Sequence, residues 1–101
     1  MNKEAQSSEL IDITAENQYE IEVGCETALI EYIIKDGKIY LTHTEVPTGL
    51  QGQGVGNVLV EKVLQRVKQD KHVLVPSCSF VARYIDRHPE WRSLLSEGYQ
   101  M

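Results

Sequence analysis

A glycine-rich segment at residues 48–56 has four glycines among its nine residues. It leads into a stretch whose apolar residues recur every three to four positions, the pattern of an amphipathic helix. The first amides of a helix have no partner within the helix, and the helix dipole favours negative charge there. Glycine also lets a ligand approach the backbone closely. The segment therefore predicts an anion site at the start of this helix.

Two common nucleotide-binding patterns do not fit the segment. A Walker motif needs Lys and then Ser or Thr after its last glycine, whereas Gly56 is followed by Asn57 and Val58. The dinucleotide fingerprint needs the spacing G-x-G-x-x-G, whereas Gly52, Gly54 and Gly56 are evenly spaced. Both kinds of nucleotide site are therefore excluded.

Two ionisable side chains precede the segment on a predicted strand at residues 39–46. Strand alternation places His43 and Glu45 on the same face as Ile39 and Leu41. Such a pair could remove a proton from an attacking amine, directly or through water. The alternative is that His43 is a hydrogen-bonded core histidine and that Glu45 is a surface acid in an ion pair.

Cys78 opens a predicted helix, Ser79–Arg87. A helix N-terminus lowers the pKa of a thiol, so a reactive thiolate is reasonable at this position. Free cysteines are also common as inert core residues, and that alternative stays open. Cys25 lies in an acidic loop without such a setting, and we assign it no role.

The hydrophobic pattern predicts the elements that position these residues. Three antiparallel strands come first, then a long helix, a short strand and a second helix. The short strand, Val73–Val75, is apolar throughout and is predicted to be buried on both faces. In chain order, we predict an edge strand near Ile11–Ile13, strands at 19–23, 28–34 and 39–46, a type I′ turn at 35–38, a helix at 54–69, the strand Val73–Val75, the helix Ser79–Arg87 and a helical turn at 91–95.

Length and composition set limits on the class of protein. A chain of 101 residues with 42% hydrophobic residues is enough for one domain. No apolar run is long enough to span a membrane, and no secretory signal is visible, so we expect a cytoplasmic protein with free thiols. The net charge of the chain is −5, and residues 1–34 alone carry eight carboxylates and one lysine. An acidic chain without a basic stripe is not expected to bind a nucleic-acid duplex.

The glycine segment resembles a known family pattern. Gln51-x-x-Gly54-x-Gly56 is similar to the Q/R-x-x-G-x-G/A loop with which the GNAT acyl-CoA N-acyltransferases hold the pyrophosphate of coenzyme A. Three further segments strengthen the resemblance: His-Thr-Glu-Val-Pro at 43–47, Val-Pro-Ser-Cys-Ser-Phe-Val at 75–81 and Arg-His-Pro-Glu-Trp at 87–91. Over residues 19–95, the chain resembles the small single-domain GNAT-like proteins called minimal N-acetyltransferases.

The resemblance implies a fold and a cofactor, acetyl-CoA. The fold is α+β: a twisted, mostly antiparallel GNAT-like sheet with a V-shaped split, flanked by a long central helix and a shorter C-terminal helix. Pantetheine would enter the split, amides of residues 51–56 would hold the pyrophosphate, and the Val46 N–H would face the thioester oxygen. The cofactor-binding residues implied in this way are Val46, Leu50, Gln51, Gly52, Gln53, Gly54, Val55, Gly56, Asn57 and Cys78.

The resemblance also implies catalytic roles. Cys78 could carry the acetyl group or line the pocket. Tyr84 lies near the position where many larger GNAT enzymes place the tyrosine that protonates the leaving thiolate, although its helical spacing from Phe80 is also typical of a core residue. The candidate catalytic residues are therefore Cys78, His43, Glu45 and Tyr84. Arg83 and Arg87 could meet cofactor phosphates or face solvent.

Two functions remain open at this point. The first is an acetyl-CoA-binding N-acetyltransferase that acts on an unidentified amine. The second is a coenzyme A-binding accessory or interaction module without efficient catalysis. A purely structural domain is disfavoured, because each clustered glycine costs backbone entropy and helps only where the chain or a ligand must approach closely. We expect residues 1–18 to be a flexible acidic arm or edge strand that lacks the family's first helices, and residues 19–101 to be one domain, a monomer by default with a dimer possible.

Overall fold

A computed structural model describes residues 3–95, except for the side chain of Lys3. Residues 96–101, the end of the predicted domain, lie outside the described residues. The helices and strands are α1 (Lys3–Ser7), β1 (Ile11–Ile13), β2 (Gln18–Val23), β3 (Glu26–Lys35), β4 (Lys38–Glu45), α2 (Val55–Gln69), β5 (Val73–Val75) and α3 (Ser79–Arg87). Short 3-10 helices are found at Thr14–Glu16, Thr48–Leu50 and Pro89–Leu94.

The five strands form one sheet in the order β1-β2-β3-β4-β5. The first three strand pairs are antiparallel, and β4 pairs with β5 in parallel. At the turn between β3 and β4, Asp36 (φ 55°) and Gly37 (φ 77°) both have positive φ, as a type I′ turn requires. The predicted α+β fold class is confirmed.

The sheet splits between β4 and β5. Their pairing covers only three residues of each strand and ends at the pair Tyr40 and Val75. Strand β4 continues to Glu45, whereas the chain after β5 turns into α3. The Cys78 N–H donates to the Leu41 carbonyl at 2.9 Å, which fixes the start of α3 against the unpaired part of β4. This opening is the predicted V-shaped split.

A β-bulge in β4 reverses the predicted orientation of its last residues. Glu31 of β3 pairs with His43, but the next residue of β3 pairs with Leu41, so Thr42 is an extra residue without a cross-strand partner. Thr44 then pairs with the fully buried Ile30 and lies on the core face. The expectation that His43 and Glu45 share a face with Ile39 and Leu41 is therefore wrong.

The core lies between the sheet and α2, which packs on one sheet face. The apolar stripe of α2 is buried there, including Leu59, Val63 and Val67 at 0% exposure. On the opposite face, which we call the open face, no described side chain is buried. The expectation for β5 is wrong in part, because Leu74 is fully buried but Val73 is 38% exposed.

Residues 3–13 include a small helix, α1, and an edge strand, β1. Ala5 of α1 is fully buried, and the Lys62 ammonium of α2 donates to the Gln6 carbonyl at 2.9 Å. Strand β1 is held by the Tyr32 hydroxyl, which donates to the Asp12 carboxylate at 2.7 Å. Helix α1 is not expected from the sequence. Between residues 3 and 95, no helix has both the length and the apolar character needed to cross a bilayer.

Candidate functional site

The loop between β4 and α2 is braced by two glutamine side chains. The Gln51 side-chain amide donates to the Val46 carbonyl at 3.1 Å, and the Gln53 side-chain amide donates to the Gly49 carbonyl at 3.0 Å. The first bond ties the loop back to the end of β4. Gln51, the first residue of the family-like pattern, therefore fixes the shape of the loop.

A groove of about 370 Å³ opens above this loop. Its lining includes eight of the ten cofactor-binding residues implied by the sequence, but not Gln53 or Cys78. Two residues of α3 complete it, namely Phe80 and Arg87. The lining residues are Val46, Leu50, Gln51, Gly52, Gly54, Val55, Gly56, Asn57, Phe80 and Arg87. Arg87 is the cation among them and none is a carboxylate, so the groove suits an anion.

Backbone amides at the start of α2 provide further donors. The first helical bond runs from the Val58 N–H to the Gly54 carbonyl at 3.1 Å, so the amides of Val55, Gly56 and Asn57 precede it and have no helical acceptor. The amide of Gln51 differs, since it donates to the Thr48 carbonyl at 3.2 Å. The predicted set of pyrophosphate-binding amides therefore begins after Gln51.

Different structural constraints require glycine at the three positions 52, 54 and 56. Gly52 and Gly54 have φ of 80° and 76°, a conformation in which a Cβ atom is strained. Gly56 lies within α2, and a Cβ atom there would lie 2.6 Å from Cζ of Phe80. Gly56 thus lets α3 pack closely on the first turn of α2, whereas Gly52 and Gly54 shape the loop.

Cys78 lies at the split of the sheet, immediately before α3. Its Sγ atom is 3.4 Å from the hydroxyl oxygen of Thr44. Thr44 is on the core face of β4, and Val46, two residues further on, lines the groove. Cys78 is therefore linked to the groove through Thr44 and Val46 on β4, although it is not part of the groove wall.

Opposing effects act on the pKa of the Cys78 thiol. Burial is the largest and raises the pKa, whereas the Thr44 hydroxyl and the amides of Val81, Phe80 and Thr44 lower it. The net result is a pKa below the ordinary thiol value. The amides at the start of α3 act through their orientation, since the Cys78 side chain makes no capping hydrogen bond of normal geometry.

His43 and Glu45 are exposed on the open face. His43 pairs with Glu31 and Glu45 pairs with Leu29, so both side chains point away from α2. Neither lines the groove. The structure brings them together with each other but not with Cys78, and their role as a base stays a prediction.

Tyr84 has a different setting from the one expected of a proton donor to the cofactor. Its hydroxyl donates to Glu61 at 2.7 Å, and its ring stacks on His88 with centroids 4.1 Å apart. Burial, the hydrogen bond to Glu61 and the charges of Glu61 and Glu90 raise its pKa. Tyr84 lines a second cavity, of about 410 Å³, between α1, α2 and α3, and not the groove.

Comparison with known proteins identifies the family. A profile of the GCN5-related N-acetyl-transferase family matches residues 18–94. The NMR solution structure of a GCN5-like protein from Staphylococcus aureus, which was named as an N-acetyltransferase candidate, has a similar fold: the TM-score is 0.64 at 24% identity, and the match covers 91% of this chain and 94% of the other. No curated protein sequence matches the chain significantly.

The chain belongs to the GCN5-related N-acetyl-transferase family. Its fold is one that supports acetyl transfer in general. Among residues 3–95, no group of three or more His, Cys, Asp or Glu side chains could hold a metal ion.

Three residues of the site are missed or undervalued by sequence reasoning. Phe80 is interpreted only as a core residue, yet it forms part of the groove wall. Arg87 is left open between solvent and phosphate, and it lines the groove. Thr44 is missed because strand alternation points it away from the core; the loss of apolar alternation after Leu41 is the signal of the bulge that reverses it.

Proposed function

We propose that the protein is an acetyl-CoA-dependent N-acetyltransferase. The observation that supports this best is the groove at the start of α2. It combines the amides of Val55, Gly56 and Asn57, which precede the first helical bond of α2, with the guanidinium of Arg87, and it lies next to the split of the sheet. Amides at a helix start and an arginine are the groups that bind a diphosphate.

Each part of the site has a role when the cofactor is bound. The α2 amides and Arg87 hold the diphosphate, and the split between β4 and β5 receives the pantetheine arm. In this proposal the Val46 N–H, which follows the last residue of β4, would donate to the thioester oxygen. Acetyl-CoA supplies the acetyl group as an activated thioester.

Two routes of transfer are consistent with the residues. In the first, the amine attacks the thioester directly, and His43 or Glu45 accepts its proton from the open face. In the second, the Cys78 thiolate takes the acetyl group first and the amine attacks it there. We favour the second route, because Cys78 lies at the split and its thiol pKa is lowered, whereas His43 and Glu45 face away from it.

The alternative function, coenzyme A binding without efficient transfer, is supported by the open face. No helix among residues 3–95 covers this face, so these residues do not build a closed pocket for an acceptor there. A partner that brings the amine would then complete the site. The monomeric state and the cytoplasmic location remain predictions.

Thermal unfolding tests cofactor binding. Acetyl-CoA should raise the melting temperature, whereas ATP and NAD should not. Gly54→Val should abolish this shift. Gly37→Val is the matched control, because Gly37 has nearly the same φ (77° against 76°) but lies in the β3–β4 turn. Equal shifts with all three nucleotides, or no shift with acetyl-CoA, would contradict the proposal.

Mass spectrometry separates the enzyme from the binding module. After incubation with acetyl-CoA, the favoured route gives an acetyl adduct that is absent in Cys78→Ser. Release of free coenzyme A on addition of a polyamine, a lysine peptide or a peptide N-terminus identifies the acceptor class. Binding without release for any amine would support the accessory function.

A further inference from the structure

The β-bulge at Thr42 determines which side chain of β4 faces Cys78. Without the extra residue, the alternation from Ile39 and Leu41 would bring His43 to the core face. With it, Thr44 pairs with Ile30 and takes that place. A threonine, and not an ionisable residue, therefore contacts the sulfur.

The Thr44 hydroxyl is a neutral group that can either accept a hydrogen bond from the Cys78 sulfur or donate one to it. The thiol can donate to the Thr44 hydroxyl oxygen over 3.4 Å, and the hydroxyl can donate to the sulfur once the thiol has lost its proton. Cys78 is also fixed through its backbone, since its N–H donates to the Leu41 carbonyl. Rotation about the Cys78 side-chain bond is the freedom that remains, and the Thr44 hydroxyl restricts it.

We propose that Thr44 is a positioning residue for Cys78: its hydroxyl holds the sulfur at the split between β4 and β5 and stabilises the thiolate. The inference rests on the proposed function for the role of Cys78 in transfer. The interaction itself can be tested without acetyl-CoA.

The hydroxyl serves both halves of the favoured route. Cys78 loses its proton to solvent, its sulfur forms a bond to the acetyl carbon, and the bond from that carbon to the coenzyme sulfur breaks; the coenzyme thiolate leaves and takes up a proton. In the second half, the amine nitrogen bonds to the acetyl carbon and loses a proton to solvent, while the bond to the Cys78 sulfur breaks. Thr44 donates to the Cys78 thiolate at the start and at the end.

The surroundings of Cys78 contain no competing ionised group among the causes of its lowered pKa. The groups that lower it are the Thr44 hydroxyl and backbone amides, whereas burial acts in the opposite direction. Removal of the hydroxyl should therefore act on the sulfur directly rather than through a change in a neighbouring charge.

The test measures the alkylation rate of Cys78 by iodoacetamide against pH, in a Cys25→Ser background that leaves one thiol. Thr44→Val keeps the shape of the side chain and removes the hydroxyl. We expect the midpoint of the pH profile to rise by roughly half a unit to one unit, and the rate at neutral pH to fall about three- to tenfold. Thr44→Ser should restore most of both.

Two controls keep the test decisive. Circular dichroism and the melting temperature establish that each variant is folded, and Thr44→Ala replaces Thr44→Val if the latter is not. An unchanged midpoint in a folded variant without the hydroxyl, or no rescue by serine, overturns the proposal for Thr44. Acetyl-CoA thermal shifts on the same variants report separately on the proposed function, which fails if the parent protein shows no shift.

Discussion

The ring of Phe80 lies directly over Gly56, with Cζ only 2.6 Å from the position that a Cβ atom would occupy. Helix α3 therefore rests on the first turn of α2, whose amides precede the first helical bond. Arg87, about two helical turns further along α3, lines the same groove as Phe80. The last glycine of the family-like pattern thus has a packing role in addition to any role in binding.

Gly56→Ala should destabilise the protein, although an Ala in a helix is normally favoured over Gly. The added methyl group overpacks against Phe80, which typically costs about 1–3 kcal/mol. Urea unfolding measures the change in free energy. In a Phe80→Leu background the cost of Gly56→Ala should shrink, and a stabilising effect of Gly56→Ala in the native background would contradict this account of the contact.

Arg87→Gln should weaken acetyl-CoA binding. Arg87 lines the groove but is exposed, so we expect the Kd for acetyl-CoA to rise by about three- to tenfold. The rise should be larger at low salt. Arg83→Gln is the matched control, because Arg83 is also exposed on α3 but does not line the groove. Isothermal titration gives both constants. An equal loss for the two variants would indicate a general charge effect and not a contact in the groove.

Tyr84→Phe distinguishes a structural tyrosine from a catalytic acid. The variant loses the 2.7 Å hydrogen bond to Glu61, which should lower the free energy of unfolding by about 1 kcal/mol. We expect the rate of acetyl transfer to stay within about twofold of the parent rate. Tyr40→Phe, on the open face, serves as the control. A fall of about a hundredfold in rate would instead assign Tyr84 the role of the acid.

Stability should fall as the pH rises above the ordinary tyrosine value. Burial raises the pKa of Tyr19 to about 12 from 10.0, and burial together with Asp12 raises that of Tyr32 further. Because the folded state holds these protons more tightly, their contribution is complete below about pH 10 and is lost progressively above it. Urea unfolding between about pH 9 and 12 measures the loss. Tyr32→Phe should flatten the decline, and a constant free energy across this range would contradict it.

The sequence pattern predicts most of the architecture because each element has a strong local signal. The Asp36-Gly37 turn sets the β3–β4 hairpin, and the apolar stripe from Val55 to Val67 sets α2. Helix α3 begins and ends as predicted, since Pro89 cannot continue it. These signals depend only on residues close together in the chain.

The orientation of β4 could not be predicted in the same way. A bulge depends on how two strands accommodate each other, and the single extra residue Thr42 reverses every later side chain. The sequence therefore favours His43 and Glu45 for the inside, whereas the structure places Thr44 there. In the same way, the exposure of Val73 follows from the position of β5 at the sheet edge, which its apolar composition does not indicate.

The surroundings of Tyr84 illustrate a third limit. Its spacing along α3 is compatible with a place in the groove, but the partner that fixes it, Glu61, comes from another helix. Such pairings depend on the packing of α3 against α2. Local sequence does not specify that packing.

The central claim is that the amides at the start of α2 bind the diphosphate of coenzyme A. Titration of ¹⁵N-labelled protein with coenzyme A, followed by amide chemical shifts, tests it most directly. The account predicts that the largest shifts fall on Gly54, Val55, Gly56 and Asn57 and that Gly54→Val removes them. Saturable binding that leaves these four amides unshifted, with the largest changes elsewhere, would contradict it.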